Sequence, residues 1–459
     1  MNKMGKIGIG VVALALIGLG GSGWYHHTHF NQNVSINGVK VGGMTSQQAF
    51  DKVSKQQLSS TVKLDGRVVY HGRGGKANFT NADQSKFTRA LKDQATILPS
   101  HSVKNLEVEP ANADANRVHD MHAALQSYLK RQNQSRKAPV DAYAEYSKGQ
   151  VKVIPAKKGN QYDLTKMSAQ LRDQQYRPSI NLHRQYLQPL AANSATVKNE
   201  KSKLTKLANR HVTYQVEGKK YRLATDDVIS SARYDHGHYR FNTQAVDSHI
   251  KAINAKQATL GRDFDFTTHA GKKIHVQGKS YGWKISDAKA GQTLAQALAD
   301  KQSQVDAKSD IYGKGYYTKG LGYGVTKNDG IGNTYAEVSL ADQHAWFYRN
   351  GKLLCDFDVV TGKESSNNGT PKGLWYIMYQ QSPSTLKGTG EDGKAYSSPV
   401  QYWSPFTQDG CGFHDASWRS NWSKSAYLDD GSLGCVNMHS ADAGQAYKAL
   451  SPHEPVVIY

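Results

Sequence analysis

Two residues near the end of the sequence, Cys435 and His414, have the side chains that nucleophilic acyl transfer requires. A thiolate is the reactive form of cysteine, and a nearby imidazole can take the thiol proton and form an ion pair with the sulfur. Gly434 directly precedes the cysteine and allows the backbone to approach a substrate closely, so that main-chain N–H groups can face a developing oxyanion. These residue types predict that Cys435 is a nucleophile and His414 its base.

A structural explanation of the same two residues stays open at this point. A lone cysteine is more often a small buried apolar residue than a catalyst, and a lone histidine is more often part of a core or a surface. Residue type and spacing do not decide between these explanations. The residues that surround Cys435 and His414 help to decide between a catalytic and a structural explanation.

The segment around the pair resembles the active-site signature of the L,D-transpeptidases with a YkuD-type catalytic domain. His414 is followed by 17 residues and then by Ser432-x-Gly434-Cys435-x-Asn437. Three flanking segments are also similar to that family, namely Tyr402-Trp403, Gly412-Phe413-His414-Asp415-Ala416 and the terminal Pro455-Val456-Val457-Ile458-Tyr459.

This resemblance implies roles for the matched residues. Cys435 would attack the L–D carbonyl between residues three and four of a peptidoglycan stem peptide, a thioester would form, and the terminal D-alanine would leave. His414 would take the thiol proton and deliver it to the departing amine. In the family, a backbone carbonyl at the position of Ser432 orients the imidazole, with Asp415 as a second candidate here. Main-chain N–H groups near Gly434 and Cys435 would hold the oxyanion.

The resemblance also suggests residues that contact substrate. Asn437 matches a position that helps to place the substrate, and Tyr402 and Trp418 are expected to line the cleft, although aromatic side chains are also common in cores. The sequence departs from the family at Leu433, where most members have histidine, so any contribution of a second imidazole is absent. Carbapenem-type β-lactams are expected to acylate Cys435.

Two rival functions remain beside the transpeptidase. In an L,D-carboxypeptidase, water would replace the acceptor amine and the enzyme would trim stem tetrapeptides. A catalytically inactive wall-binding scaffold is the other rival, and Leu433 is its only support. We expect neither a cofactor nor a metal site, because the sequence has no HExxH and no paired CxxC spacing.

Composition limits the partners of the protein. Its 459 residues predict two to four compact domains, and 58 Lys plus Arg against 38 Asp plus Glu give a net charge of +20. Such a surplus favours a polyanionic neighbour, but the charges are scattered and no nucleic-acid-binding motif occurs. We therefore expect peptidoglycan and anionic cell-wall polymers, and no nucleic acid, as partners. Three cysteines leave two alternatives, a Cys355–Cys411 disulfide or three reduced thiols.

The N-terminal sequence predicts a membrane signal-anchor over residues 1–29. Lys3 and Lys6 precede an uncharged run from Ile7 to Gly23, and Trp24 follows at the expected interface. Lysines ahead of the apolar run predict a cytoplasmic N-terminus and an extracellular catalytic domain in the cell-wall space. The alternative is a cleaved signal peptide and a secreted protein.

Between this segment and the catalytic residues, the pattern predicts a multidomain chain with an α+β repeat region. The order around Val151 to Leu171 recurs 123 residues later, around Ile274 to Leu298. We expect two α/β units, 30–195 and 196–309, which resemble the peptidoglycan-binding repeats that precede the catalytic domain in several Gram-positive L,D-transpeptidases. A Gly/Tyr-rich stretch, 310–332, is expected to be a linker or an extended packing segment.

The C-terminal range, 333–459, is predicted to be an all-β, sandwich-like catalytic domain. Short strands with turn signals run through it, and Asn350-Gly351 has the composition of a tight hairpin turn. The YkuD-type domains that this range resembles are β-sandwich-like.

Overall fold

The structure, a computed structural model, describes residues 24–96, 98–366 and 368–459. The chain divides into two compact units. One comprises the described residues up to Tyr143 together with Ile154–Ser194, and the other comprises Ala144–Val153 together with Ala195–Tyr459. The ranges 196–309, 310–332 and 333–459 thus lie within one unit, and the predicted domain boundaries remain predictions.

The prediction of a transmembrane signal-anchor is not supported and is corrected. In the described ranges, no helix combines the length and apolar character that crossing a bilayer requires. The apolar run on which the prediction depended, Ile7 to Gly23, lies outside the described residues.

In the described residues up to 194, short strands alternate with helices. The strands are β1 (Val34–Ile36), β2 (Val39–Lys40), β3 (Gln57–Leu58), β4 (Thr61–Leu64), β5 (Arg67–His71), β6 (Gly75–Lys76), β7 (Lys104–Leu106), β8 (Tyr143–Ser147), β9 (Gln150–Ile154) and β10 (Ile180–Leu182). The helices are α1 (Ser46–Ser54), α2 (Gln84–Gln94), α3 (Ala115–Gln134) and α4 (Leu164–Arg172). The sheet orders are β2-β1-β7, β10-β4-β5 and β3-β6. Thr45 caps α1 in a capping box, as its side chain predicts.

The next segment repeats part of this architecture. Its strands are β11 (His211–Val216), β12 (Lys219–Ala224), β13 (Ser231–Asp235), β14 (His238–Asn242), β15 (Asp263–Thr267), β16 (Lys273–Gln277), β17 (Lys284–Ile285), β18 (Gln304–Asp306) and β19 (Ile311–Tyr312), and its helices are α5 (Ala195–Ala208), α6 (Thr225–Val228), α7 (Asp247–Gln257) and α8 (Asp287–Asp300). The sheet orders are β12-β11-β18, β14-β13-β8-β9, β15-β16 and β17-β19.

The recurring feature is a hairpin whose first strand later receives a parallel partner. The β4–β5 hairpin turns at Asp65-Gly66 and pairs with β10, whereas the β11–β12 hairpin turns at Glu217-Gly218 and pairs with β18. In both cases a helix with a side-chain N-cap, Asp163 or Ser286, precedes the parallel strand. The order around Val151 to Leu171, strand β9 and then helix α4, also recurs as strand β16 and helix α8, while the division into two repeat units remains a prediction.

The Gly/Tyr-rich stretch 310–332 is a packing segment and not a free linker. Ile331 is buried, the backbone N–H of Tyr317 donates to the hydroxyl of Tyr376 (2.6 Å), and the Gly330 carbonyl accepts from the hydroxyl of Tyr281 (2.9 Å). The first hydrogen bond joins the segment to the β-rich domain that follows it, and the second joins it to a residue that precedes it.

The C-terminal domain is built on a five-stranded mixed sheet. Its strands are β20 (Tyr335–Ser339), β21 (His344–Arg349), β22 (Lys352–Asp358), β23 (Gly373–Tyr376), β24 (Ser384–Thr389), β25 (Ala395–Val400), β26 (Trp403–Pro405), β27 (Gly412–Asp415), β28 (Val436–Met438) and β29 (Pro455–Ile458), with helices α9 (Ala426–Asp429) and α10 (Ser440–Ala449). The sheet orders are β22-β21-β20-β29-β23, β26-β27-β28 and β24-β25.

The main sheet has an apolar layer on each face. On one face, Ala336 and Val338 of β20 share a core with Phe413, Val436 and Met438 of the three-stranded sheet. On the other face, residues of the β15–β16 hairpin, including Phe264 and Phe266, pack against Leu374 and Val457. The predicted β-rich fold is confirmed, and the ten-residue helix α10 is an element that the sequence analysis did not predict.

Candidate active site

A parallel strand pair brings the two segments of the predicted signature together. β27 and β28 pair with His414 opposite Asn437. Cys435 directly precedes β28, so it lies at the end of this pair. His414 and Cys435 line one cavity of about 230 Å³.

Cys435 is partly exposed at this cavity and carries a free thiol, as do Cys355 and Cys411. Its Sγ donates a hydrogen bond to the backbone carbonyl of Gly410 at 3.4 Å. Burial raises the pKa of the Cys435 thiol to about 12, and the neighbouring Cys411 adds to this effect. A hydrogen bond from the Gly412 N–H acts in the opposite direction. The resting group is therefore a neutral thiol.

His414 is buried, with 3% of its surface exposed. Its Nδ1–H donates to the backbone carbonyl of Asp415 at 2.8 Å, and its Nε2 accepts from the side-chain amide of Asn437 at 3.0 Å. Burial lowers the pKa of the imidazole, while the Asp415 carbonyl acts in the opposite direction. The ring is therefore neutral, and its lone pair is on Nε2.

Arg419 fixes this protonation state independently. Its Nε donates to Oδ1 of Asn437 at 3.1 Å, and its guanidinium also contacts Asp430. An arginine can only donate, so the amide oxygen of Asn437 must face Arg419 and the amide NH₂ must face His414. Because the NH₂ group can only donate, Nε2 of His414 must be the acceptor and therefore carries no proton.

The thiol and the imidazole share the cavity, but each has another hydrogen-bond partner. The thiol of Cys435 faces the Gly410 carbonyl, and Nε2 of His414 faces Asn437. Before a proton can pass to Nε2, the thiol must rotate away from Gly410 and the amide of Asn437 must release the lone pair of Nε2. Apo sites often reach their catalytic hydrogen bonds only with substrate bound.

The Ser432–Gly434 turn differs in detail from the expectation. The carbonyl that orients His414 belongs to Asp415, whereas the Ser432 carbonyl accepts from the N–H of Lys363 (2.9 Å). The Ser432 hydroxyl instead donates to the Cys435 carbonyl (2.6 Å) and accepts from the Gly434 N–H (3.1 Å). Ser432 therefore shapes the turn, and the Gly434 N–H is already engaged.

Gly434 requires its glycine for two reasons. Its φ is +113°, and a Cβ there would lie 2.8 Å from Sγ of Cys411.

The Gly434 carbonyl accepts from the buried hydroxyl of Thr370 (2.9 Å), which itself accepts from the N–H of Gly362 (2.9 Å). Thr370 thus ties the turn before Cys435 to a neighbouring loop.

The three predicted substrate-binding residues have different positions. Trp418 lines the cavity, is 53% exposed and stacks on His414 with ring centroids 5.8 Å apart. Asn437 also lines it, but its amide is committed to His414 and Arg419. Tyr402 is not among the cavity-lining residues, because its ring packs against Tyr447 of α10 (5.3 Å). The contact of Tyr402 with substrate therefore remains a prediction.

Sequence reasoning missed one wall of the cavity. The β24–β25 hairpin contributes Leu386, Tyr396 and Ser398. The residue types of this hairpin carry no chemical signal, and its nearness to Cys435 follows only from the tertiary fold. Leu433 is 41% exposed and also lines the cavity, where it offers an apolar surface.

Comparison with known proteins gives matches to two regions of the chain. Residues 333–458 match the family model of the L,D-transpeptidase catalytic domain (YkuD), and residues 193–307 match a model described as "Putative peptidoglycan binding domain". A search of curated proteins gave no significant match.

Among solved structures, a cysteine-to-serine mutant of the Enterococcus faecium L,D-transpeptidase is 26% identical, with coverage of 56% of this chain and 98% of that chain and a TM-score of 0.43. The catalytic domain of the E. faecium L,D-transpeptidase acylated by ertapenem is 35% identical, with coverage of 28% and 98% and a TM-score of 0.26. Since both TM-scores are below 0.5, the family assignment depends on the sequence matches. The chain therefore belongs to the L,D-transpeptidase family, with a YkuD-type catalytic domain at residues 333–458.

Proposed function

We propose that this protein cross-links peptidoglycan stem peptides by L,D-transpeptidation through a thioester on Cys435. The observation that carries the proposal is the shared cavity, which a partly exposed thiol lines together with a neutral imidazole whose basic nitrogen is Nε2. A thiol with a raised pKa needs a base at the moment of attack, and His414 is the base that the cavity offers.

The proton path runs through Nε2 of His414. As the Cys435 sulfur attacks the carbonyl carbon of the L–D bond, the thiol proton passes to Nε2. Collapse of the tetrahedral intermediate breaks the C–N bond, and the same proton goes to the departing D-alanine amine. An acceptor amine then attacks the thioester, gives its proton to Nε2, and expels the sulfur, which regains a proton from the imidazolium.

The Asp415 carbonyl supports this cycle by stabilising charge on the ring. Its hydrogen bond to Nδ1–H at 2.8 Å remains in place whether Nε2 is protonated or not. Asn437, in contrast, presents an N–H to Nε2 and opposes the imidazolium. The imidazolium is therefore short-lived, and the proton is returned readily to a leaving group.

The backbone N–H of Cys435 is our candidate donor to the oxyanion. Within the described part of the chain it has no hydrogen-bond acceptor, whereas the Gly434 N–H is bonded to Ser432. Removal of one oxyanion donor in comparable enzymes costs about 3–4 kcal/mol. Small displacements of the turn are therefore expected to affect the rate.

Residues 193–307 match the model of a peptidoglycan-binding domain, which supports peptidoglycan as the partner of a second part of the chain. Peptidoglycan is therefore the partner of both regions, and the protein is expected to work in the cell-wall space. We assign no membrane anchor.

The direct test is incubation of the purified protein with a disaccharide-tetrapeptide, followed by mass spectrometry. Cross-linked dimer indicates transpeptidation, tripeptide indicates carboxypeptidase activity, and unchanged substrate indicates an inactive scaffold. Cys435→Ala should abolish turnover, and Cys355→Ala is the matched control that should retain it. Persistence of turnover in Cys435→Ala would refute the assignment of the nucleophile.

Acylation by ertapenem is a second and independent test. The related E. faecium catalytic domain has been observed as its ertapenem acyl-enzyme. We expect one ertapenem adduct per chain, located on the peptide that contains Cys435. An adduct on Cys411 or Cys355 instead would contradict the proposal.

A further inference from the structure

A basic groove lies on the domain formed by residues 193–307, remote in sequence from the catalytic residues. It has a volume of about 380 Å³ and lies between helix α5, the β13–β14 hairpin and the C-terminal end of helix α8. We define the basic groove by Lys203, Lys206, Arg210 and Lys301, with Tyr234 and Tyr239 as its aromatic wall.

The charges of the basic groove are unbalanced. Four cationic side chains face one carboxylate, that of Asp300, which already accepts from the Gln296 side chain (2.9 Å). Arg210 has a structural role, since it donates to the carbonyls of Leu298 and Ala299 at the end of α8 (2.7 and 2.9 Å).

Three lysines of the groove remain available. In the part of the chain that the structure describes, none of the ion pairs involves Lys203, Lys206 or Lys301. Lys203 and Lys206 are three residues apart on α5 and therefore lie on the same face of the helix. Their ammonium groups can contact one bound anion or two successive anions.

The aromatic wall gives the groove a defined shape. The rings of Tyr234 and Tyr239 are 4.8 Å apart, and the Nζ of Lys203 lies 5.6 Å from the centroid of the Tyr234 ring. The hydroxyl of Tyr239 donates to the backbone carbonyl of Lys203 at 3.3 Å. These contacts join α5 to the β13–β14 hairpin and hold the two sides of the groove together.

We propose that the basic groove binds a wall polymer that carries a phosphodiester in each repeat. Such a chain supplies regularly spaced anions and few cations, which suits a surface with several ammonium groups and one engaged carboxylate. A stem peptide with both amino and carboxyl groups would leave its amine without an acceptor here. The net charge of +20 would further concentrate such a polymer near the protein.

The test measures binding of the full chain to purified cell walls and to poly(glycerol phosphate). One wall sample is treated with hydrofluoric acid, which cleaves phosphodiesters and leaves the peptidoglycan. Lys203→Gln/Lys206→Gln removes two charges from the groove. Lys198→Gln/Lys201→Gln is the matched control, because these exposed lysines lie on the same helix and outside the groove.

We expect the groove variant to bind poly(glycerol phosphate) about tenfold more weakly and the control variant to change by less than about twofold. Lys203→Arg/Lys206→Arg should retain binding, and thermal melting should show that all three variants are folded. Added salt should weaken binding of the unmodified protein. Equal losses in the groove and control variants, or unchanged binding to hydrofluoric-acid-treated walls, would overturn the proposal. Cross-linking activity on soluble muropeptides should not change in any of these variants.

Discussion

The protonation state of the resting site leads to a prediction about the reactivity of Cys435. Burial raises the pKa of its thiol to about 12 and lowers the pKa of His414. A preformed thiolate–imidazolium pair would require both shifts to be reversed. We therefore expect the resting enzyme to contain a neutral thiol beside a neutral imidazole.

The magnitude follows from the thiolate fraction. At pH 7, a thiol with a pKa near 12 is ionised in about one molecule in 10⁵, whereas an ordinary cysteine with a pKa near 8.5 is ionised in about three molecules in 100. Alkylation of Cys435 by iodoacetamide in the absence of substrate should therefore be slow. Its rate should rise about tenfold per pH unit between pH 6 and 9, without a plateau.

Peptide mass spectrometry measures this rate for each cysteine separately. Cys355 serves as an internal reference, since its thiol is also partly exposed and its pKa is also raised by burial. A plateau in the rate of Cys435 with a midpoint below pH 8 would refute the neutral resting pair and would indicate an ion pair with His414.

Three further predictions concern the turn, the sheet and the cavity wall. Gly434→Ala should abolish turnover and lower the free energy of unfolding by about 1–3 kcal/mol, because the new Cβ would clash with Cys411 and the residue would have to keep a positive φ. Activity assays and thermal melting measure the two effects. Burial raises the pKa of Glu337 above its ordinary 4.5, so its stabilising contribution is full below pH 4.5 and is lost as the pH rises through the raised value. Glu337→Gln should remove this pH dependence from the melting temperature between pH 4 and 8, and an unchanged dependence would contradict it. Trp418→Ala should raise KM with little change in melting temperature, and a fall in kcat alone would instead indicate an effect through His414.

Much of the site could be predicted because its chemistry is local in the sequence. The residues around Cys435 and His414 were sufficient to identify the nucleophile and base as candidates, and the structure brings both to one cavity. The Asn37-Gly38 and Asn350-Gly351 turns likewise have the positive φ angles that their composition predicts.

The details that the sequence leaves open depend on tertiary geometry. The choice between the Ser432 and Asp415 carbonyls depends on backbone direction at the end of β27, which residue types do not specify. Tyr402 has the same composition signal whether it faces the cavity or α10. Arg419 was missed because a single arginine in a polar loop is usually solvated, and only its contact with Asn437 distinguishes it.

The position of β29 has a consequence for how the catalytic domain folds. This strand, Pro455–Ile458, lies between β20 and β23 in the sheet. It runs parallel to β20, which precedes it by more than a hundred residues in the chain. Neither half of the main sheet is therefore complete without it. Contacts between such distant segments slow folding and favour all-or-none transitions. We expect the domain to melt cooperatively and resist stepwise proteolysis, and expect a fragment lacking Pro455–Ile458 to have no native core.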